Sequence, residues 1–233
     1  MRILMVLPML TILAAATAAR AERIVPPIDE RFAAAVATLE KPDFRRHVVP
    51  LLGRLGCNGR ACHGSFQGQG GFMLSLFGYD FQADHANLMG GDEPRTAVAD
   101  PEQSLILTKP LEEVDHEGGK RFDRGSWQHR VLLEWVSTGA EPGLPKGPAL
   151  ERLEVEPREI LAINPGDSWR LRAVAVWSDG TREDVTPLCR FQSNDDQVAT
   201  IDETGLVTAA GPGDTHVVAF YDNGVMPVPV LFP

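Results

Sequence analysis

The sequence predicts two domains, a small and mostly α-helical domain followed by an all-β sandwich. Apolar residues recur at helical spacing in the first half, a Pro- and Gly-rich segment covers residues 141–149, and apolar and polar residues alternate beyond it. The 233 residues, 43% of them hydrophobic and 23% charged, suffice for two small folded domains. The predicted segments are a signal peptide (1–21), a leader (22–42), the helical domain (43–140), a linker (141–149) and the sandwich (150–233).

The N-terminus has the pattern of a secretory signal peptide. Arg2 gives a positive start, the run from Ile3 to Ala16 is apolar, and Ala19-Arg20-Ala21 provides an A-x-A cleavage site before Glu22. An uncleaved N-terminal anchor is the alternative. Since no second apolar stretch follows, we expect no stable membrane span in the mature chain. The pattern predicts export, to the periplasm or the cell surface.

The charge balance is acidic. The chain carries 22 Lys and Arg against 32 Asp and Glu, a net charge of −10. Removal of residues 1–21 takes away two arginines and leaves a net charge of −12. Nucleic acids and anionic membranes are therefore disfavoured as partners, whereas a basic partner is weakly favoured.

Two amphipathic helices are predicted to frame the helical domain. Asp43 is a plausible N-cap of the first, Pro50 should kink or restart it, and Gly56 ends it. Ser126 caps the second and Gly139 ends it. Their apolar faces comprise Phe44, Val48, Leu51, Leu52 and Leu55 in the first, and Leu132, Leu133, Trp135 and Val136 in the second.

The second half shows the alternation that is typical of short strands. Leu153 and Val155 alternate with polar residues, and Ser178-Asp179-Gly180 is a tight-turn sequence. Turn signals recur roughly every ten residues, which indicates an immunoglobulin-like β-sandwich. Further strands are predicted at Leu171–Trp177, Val198–Ile201, Gly205–Ala209 and Thr215–Phe220.

The segment Cys57-Asn-Gly-Arg-Ala-Cys62-His63 is the most informative motif. Covalent attachment of haem c requires two thiols and a His directly after the second Cys, where its imidazole reaches the iron. The usual spacing is C-x-x-C-H, and four residues intervene here. Asn58-Gly59-Arg60 must therefore bulge outward, and Gly59 favours such a bulge. We accordingly predict one haem c, bound by Cys57 and Cys62, with His63 as an axial ligand of the iron.

Other roles for these cysteines stay open at this stage. Cys57 and Cys62 could form a plain disulfide, or bind zinc together with His63 and another His. Cys189, the third cysteine, lies in an apolar stretch and is predicted to be a buried free thiol.

His116 is predicted to be the distal iron ligand, because it lies in a Gly-rich loop between the central apolar segment and the last helix. Met89 is the runner-up, since it is also expected in a loop. Met73 is interpreted as a core residue, and His85 and His129 as solvated side chains. His47 is a further candidate.

The motif and its surroundings together resemble a known family. The run LLGRLGCNGRACHGSFQGQGGFMLSLFGYD, followed by DPEQSLILTKP, HEGGKRF and GSWQHRVLLEWVSTGA, resembles the cytochrome c-like N-terminal region of large exported planctomycete-type proteins. In those proteins a C-x4-C-H motif precedes a bacterial Ig-like domain and paired domains of unknown function (DUF1549 and DUF1553). VWSDGTREDVT and FQSNDDQVATIDETGLVTA resemble the group 2 bacterial Ig-like family. The resemblance implies a cytochrome c-like fold for residues 43–140.

These features lead to competing functional hypotheses. The first is an exported c-type cytochrome that transfers electrons to a redox partner, such as a larger enzyme of the same family. The second is a non-catalytic Ig-like adhesion or carbohydrate-contact protein with a Cys57–Cys62 disulfide. The third is a haem enzyme such as a peroxidase. The sequence contains no G-x-S-x-G, phosphate-binding loop or H-E-x-x-H motif, so an electron carrier or haem-binding subunit is favoured over an enzyme.

Overall fold

A computed structural model describes residues 23–33, 40–144 and 146–233 of the chain. The predicted signal peptide lies outside these residues. In the described part of the chain, no helix is long and apolar enough to cross a membrane.

The first half contains short helices joined by long turns. The first long helix begins with a π-helical turn and continues as α2, and its start at Asp43 is confirmed because the Asp43 carboxylate accepts a hydrogen bond from the N–H of Arg46. Pro50 lies at the start of α2, where the π-helical turn changes to α-helix; a proline has no backbone N–H to donate. The helices are α1 (Ile28–Arg31), the π-helical turn (Phe44–Val48), α2 (Val49–Arg54), α3 (Phe81–Met89), α4 (Leu105–Thr108) and α5 (Trp127–Ser137).

Helix α5 follows the sequence prediction closely. The Ser126 hydroxyl accepts a hydrogen bond from the N–H of His129, and Gly139 follows the helix with φ of 107°. The two framing helices pack against each other: the rings of Phe44 and Trp135 stack with centroids 5.2 Å apart. Both side chains are buried. This aromatic contact packs the first long helix against α5. The helical part of the first half is called the helical unit below.

The second half is a β-sandwich, as predicted. Its sheets have the orders β1-β6-β5-β2, β3-β11-β10-β7 and β4-β9-β8. Alternate residues of the long hairpin β10–β11 face the core. The strands are β1 (Ile24–Val25), β2 (Leu150–Glu156), β3 (Ile160–Leu161), β4 (Ser168–Arg170), β5 (Arg172–Trp177), β6 (Arg182–Asp184), β7 (Arg190–Ser193), β8 (Ala199–Ile201), β9 (Leu206–Ala209), β10 (Gly213–Tyr221) and β11 (Gly224–Phe232).

The leader is part of the sandwich. Strand β1 pairs in parallel with β6, with Ile24 opposite Arg182 and Val25 opposite Glu183. Helix α1 follows, and its Ile28 is fully buried. One continuous apolar core joins the leader, the helical unit and most of the sandwich. The two halves are therefore packed on each other.

Candidate functional site

The C-x4-C-H segment folds into a compact turn after α2. Gly56, with φ of 80°, redirects the chain, and the N–H of Cys57 donates to the carbonyl of Leu52. The N–H of Cys62 donates to the carbonyl of Gly59 at 3.0 Å, and the N–H of His63 donates to the carbonyl of Cys57, also at 3.0 Å. These bonds bring the two ends of the motif next to each other.

The predicted outward bulge of this motif is only partly correct. Arg60 is exposed, but the Asn58 side chain turns inward and is 1% exposed. A Cβ at Gly53 or Gly78 would contact the Asn58 amide, so this amide lies between two glycines. The short side chain of Asn58 fills this space, which sequence spacing could not reveal.

His63 and His116 face one cavity with nearly parallel rings. Their ring centroids are 6.3 Å apart, with an interplanar angle of 12°. Nδ1 of His63 lies 3.1 Å from the carbonyl oxygen of Phe72, and Nδ1 of His116 lies 3.2 Å from that of Gly119. A carbonyl only accepts, so each Nδ1 carries a proton, and in the neutral form of either ring Nε2 is the acceptor. Burial lowers the pKa of His63, which favours its neutral form.

The cavity has a volume of about 600 Å³. Both cysteines of the motif line it together with the two histidines, while Leu52, Phe72, Leu74, Leu88 and Ile106 supply apolar wall. Charged side chains also border it, namely Glu93, Arg95, Lys109, Asp115, Glu117 and Arg121. The cavity could therefore hold a ligand with both apolar and charged parts.

The chemical state of the three cysteines differs with their burial. All are free thiols. Burial raises the pKa of Cys57 to about 12, although the Arg121 guanidinium opposes this effect. Burial also raises the pKa of Cys189, whose prediction as a buried free thiol is confirmed. Cys57 and Cys62 are both half-buried, and the Arg121 Nη2 lies 4.0 Å from the Cys62 Sγ. Cys189, which is fully buried, is the least accessible thiol of the three.

The remaining predicted ligands lie elsewhere. Met89 does not border the cavity, and its Sδ accepts a hydrogen bond from the Thr96 hydroxyl at 2.9 Å. Met73 is 45% exposed, so its interpretation as a core residue is wrong. His85 and His129 are not solvated: His85 Nε2 lies 2.7 Å from the Ala140 carbonyl oxygen, and His129 is 4% exposed. Packing against neighbouring elements decides these positions, which local sequence does not encode.

The fold defines the second half as an immunoglobulin-like domain. Residues 152–230 match the family model of the bacterial Ig-like domain (group 2), which confirms the resemblance stated for this half. No curated protein matches the chain.

The comparison with solved structures matches domains of an S-layer protein and an intimin. Domains 5–6 of the S-layer protein SbsC share 18% identity, with a TM-score of 0.32, over 37% of this chain and 45% of that chain. SbsC domains 4 and 5 share 17% identity, with a TM-score of 0.33, over 37% and 53%. An intimin mutant of EHEC O157:H7 shares 18% identity, with a TM-score of 0.27, over 36% and 48%. The chain thus spans about half of each of these solved structures.

These findings correct the interpretation of the chain as an electron-transferring c-type cytochrome. The family match falls on the Ig-like half, and the comparisons show neither a cytochrome family nor the DUF1549 and DUF1553 families. Within the described ranges, no group of three or more His, Cys, Asp or Glu side chains could hold a metal ion. A redox partner is likewise unsupported. The haem-ligand roles of Cys57, Cys62, His63 and His116 stay predictions from the sequence.

Proposed function

We propose that the chain is a non-catalytic, exported contact protein that adheres to carbohydrate. Its Ig-like sandwich matches a bacterial Ig-like family, and the signal-peptide pattern of residues 1–21 favours a location outside the cytoplasm. The helical unit, which is packed on the sandwich, supplies the contact surface in this proposal.

The observation that carries the proposal is an exposed aromatic loop beside the cavity, residues 64–79, here called the contact loop. Phe66 is 97% exposed and Tyr79 is 82% exposed. Met73, Leu76 and Phe77 are also partly exposed. Concentrated exposed apolar surface marks a binding site, because it costs free energy to hydrate. Aromatic rings offer a flat apolar face, and the Tyr hydroxyl adds a hydrogen-bonding group, a combination suited to sugars.

Backbone hydrogen bonds connect the contact loop to the turn that contains the C-x4-C-H motif, residues 57–63. The N–H of Leu74 donates to the carbonyl of His63 at 2.8 Å, and the N–H of Phe77 donates to the carbonyl of Asn58 at 3.0 Å. The guanidinium of Arg190, on strand β7, lies 4.0 Å from the centre of the Phe77 ring. These contacts hold the loop in a defined position, which lowers the conformational entropy that binding must remove.

A disulfide between Cys57 and Cys62 would further fix this turn. The hydrogen bond from the N–H of His63 to the carbonyl of Cys57 joins the two ends of this turn. A disulfide requires about 4.4–6.8 Å between the two Cα atoms. Export to an oxidising compartment favours its formation, although both thiols are free in the structure. Cys189 is buried and leaves these two as the pair.

Intact mass measurement of the exported protein tests the cysteine state. A disulfide lowers the mass by about 2 Da relative to the reduced chain. A red protein carrying an adduct of about 616 Da, the mass of haem, on Cys57 and Cys62 would overturn the proposal.

Sedimentation with insoluble chitin, cellulose and peptidoglycan tests the contact function. We expect the protein to sediment with at least one polymer, and the Phe66→Ala/Tyr79→Ala variant to lose that binding. The matched control is Leu144→Ala/Ile163→Ala, which removes two side chains that are each 75% exposed outside the contact loop. Failure to sediment with any polymer, or equal binding by the loop variant, would contradict the proposal.

A further inference from the structure

Three consecutive residues of the helical unit each bind a different acidic residue of the sandwich. Arg45 Nη2 lies 3.1 Å from Asp222 Oδ2, and Arg46 Nη2 lies 3.1 Å from Asp179 Oδ2. His47 Nε2 lies 3.0 Å from Glu183 Oε1. We call Arg45, Arg46 and His47 the basic turn. We call Asp179, Glu183 and Asp222 the acidic edge.

The acidic edge wraps around the basic turn. Successive side chains of a helical turn point in different directions around its axis, so three in a row contact one surface when that surface curves around the helix. The acidic edge provides such a surface, because Asp179 lies in the turn between β5 and β6, Glu183 lies on β6, and Asp222 follows β10. The three pairs therefore define both the position of the helix and its rotation.

Aromatic side chains of the sandwich complete the contact with Arg46. Its guanidinium lies 4.4 Å from the centre of the Trp177 ring, and its carbonyl accepts a hydrogen bond of 2.6 Å from the Tyr221 hydroxyl. Trp177 and Tyr221 are buried. A cation over an aromatic face and a buried hydrogen bond are both directional, so they favour one arrangement of the two halves.

Glu183 is the most buried member of the acidic edge, at 3% exposed. The backbone N–H of Asp43 donates to Nδ1 of His47, which places the imidazole proton on Nε2, where it donates to Glu183. Arg31 also pairs with Glu183. Burial raises the pKa of Glu183, but the hydrogen bond from His47 and the nearby guanidinium groups outweigh it and leave the pKa below its ordinary value. Loss of these partners would leave a charge buried without compensation.

We propose that the acidic edge is an intramolecular docking site for the basic turn, and that the Ig-like half serves as a fixed holder of the helical unit. Charge complementarity identifies the occupant: the sandwich presents three carboxylates, and the helix presents two guanidinium groups and an imidazole to them. The cavity and the contact loop are thereby held in one orientation relative to the sandwich. This proposal goes beyond the proposed function and does not depend on which ligand the contact loop binds.

The test uses the full chain with a protease site inserted after Lys146, which is exposed in the segment between the halves. After cleavage of the folded protein, size-exclusion chromatography over a range of salt concentrations shows whether the fragments stay together. We expect the fragments of the otherwise unchanged protein to co-elute. The two fragments of the Arg45→Asp/Arg46→Asp variant should associate with each other about tenfold more weakly for each reversed pair. Separation of the unchanged fragments on cleavage would overturn the proposal.

Two further variants complete the test. The variant Arg45→Asp/Arg46→Asp/Asp179→Arg/Asp222→Arg exchanges the charges of two pairs and should restore the association of the fragments. If the reversed variant were merely misfolded, this exchange would not restore it. Arg60→Glu is the matched control, because Arg60 is an exposed arginine of the same half, and we expect it to leave the association unchanged. Equal association of the reversed and unchanged proteins at every salt concentration, or failure of the exchange to restore binding, would contradict the proposal.

Discussion

The hydroxyl of Tyr221, at the end of strand β10, donates a hydrogen bond of 2.6 Å to the backbone carbonyl of Arg46 in the helical unit. The two residues are 175 positions apart in the chain. Tyr221 is 2% exposed, and its ring packs edge-on against Trp177 with centroids 6.2 Å apart. One side chain thus joins the core of the sandwich to the backbone of the first long helix.

We predict that Tyr221→Phe lowers the free energy of unfolding by about 1–2 kcal/mol, because the ring still packs while the Arg46 carbonyl loses its donor. Urea unfolding with a constant m-value measures this change. Tyr79→Phe is the matched control, since Tyr79 is 82% exposed, and its unfolding free energy should change by less than about 0.5 kcal/mol. Equal stability of the two variants would show that the Tyr221 hydrogen bond contributes nothing.

Gly53 and Gly64 lie on either side of the C-x4-C-H motif. We expect their replacement by alanine to change the free energy of unfolding in opposite directions. A Cβ at Gly64 would lie 2.0 Å from the Asn58 carbonyl oxygen, so Gly64→Ala must displace the turn. A Cβ at Gly53, inside α2, would meet its nearest atom at an ordinary 3.5 Å. We predict that Gly64→Ala destabilises the protein by more than about 2 kcal/mol. Gly53→Ala should be stabilising by up to about 1 kcal/mol, because alanine is the better helix former.

Thermal unfolding of both variants checks this pair. A Gly64→Ala protein as stable as the unchanged chain would contradict the close approach of residues 58 and 64. A destabilised Gly53→Ala protein would contradict the ordinary van der Waals distance between a Cβ at Gly53 and the Asn58 amide.

Stability should fall in mild acid because of His129. Burial lowers its pKa in the folded chain below the ordinary value of about 6.5. The unfolded chain then binds more protons below pH 6.5, so the free energy of unfolding decreases as the pH falls below that value. His63, whose pKa is also lowered by burial, acts in the same direction.

Urea unfolding at pH values from about 7.5 to 5 measures this slope. His129→Gln cannot gain a proton in this range, and we expect its slope to be smaller than that of the unchanged protein. His216→Gln is the control, because His216 is exposed, and it should keep the full slope. An identical slope in the His129→Gln variant would show that this imidazole does not contribute.

Local sequence predicted the elements whose signals are local. The caps at Asp43 and Ser126 and the turn before Gly180 lie where they were expected, because a cap or a turn depends on a few neighbouring residues. Strand β1 was missed, because its two residues form a strand only by pairing with β6, more than a hundred residues away. The docking of Arg45, Arg46 and His47 was missed for the same reason: a run of basic residues does not indicate which carboxylates it meets.

The candidate site was predicted in part. His63 and His116 do line one cavity with both cysteines of the motif, whereas Met89 was predicted in a loop and instead ends α3 outside this lining. The inward turn of Asn58 depends on the space between Gly53 and Gly78, which belong to different elements. The function inferred from the motif was wrong because C-x4-C-H spacing is compatible with several uses of two thiols.

The reduced thiols should differ strongly in their reaction with iodoacetamide. The thiolate is the reactive form, and a pKa of about 12 leaves only about one Cys57 thiol in ten thousand ionised at pH 8. Cys189 is fully buried, and burial raises its pKa as well. We therefore predict that in the folded protein Cys62 is alkylated first, and that Cys57 and Cys189 react far more slowly until the chain is unfolded in urea. Peptide mass spectrometry after timed quenching measures the three rates.

Arg121→Gln removes the guanidinium that lowers the pKa of Cys57 and should slow the alkylation of Cys57 further, whereas Arg60→Gln should not. Alkylation of Cys57 as fast as Cys62 in the folded protein would show that its thiol is not buried in this way.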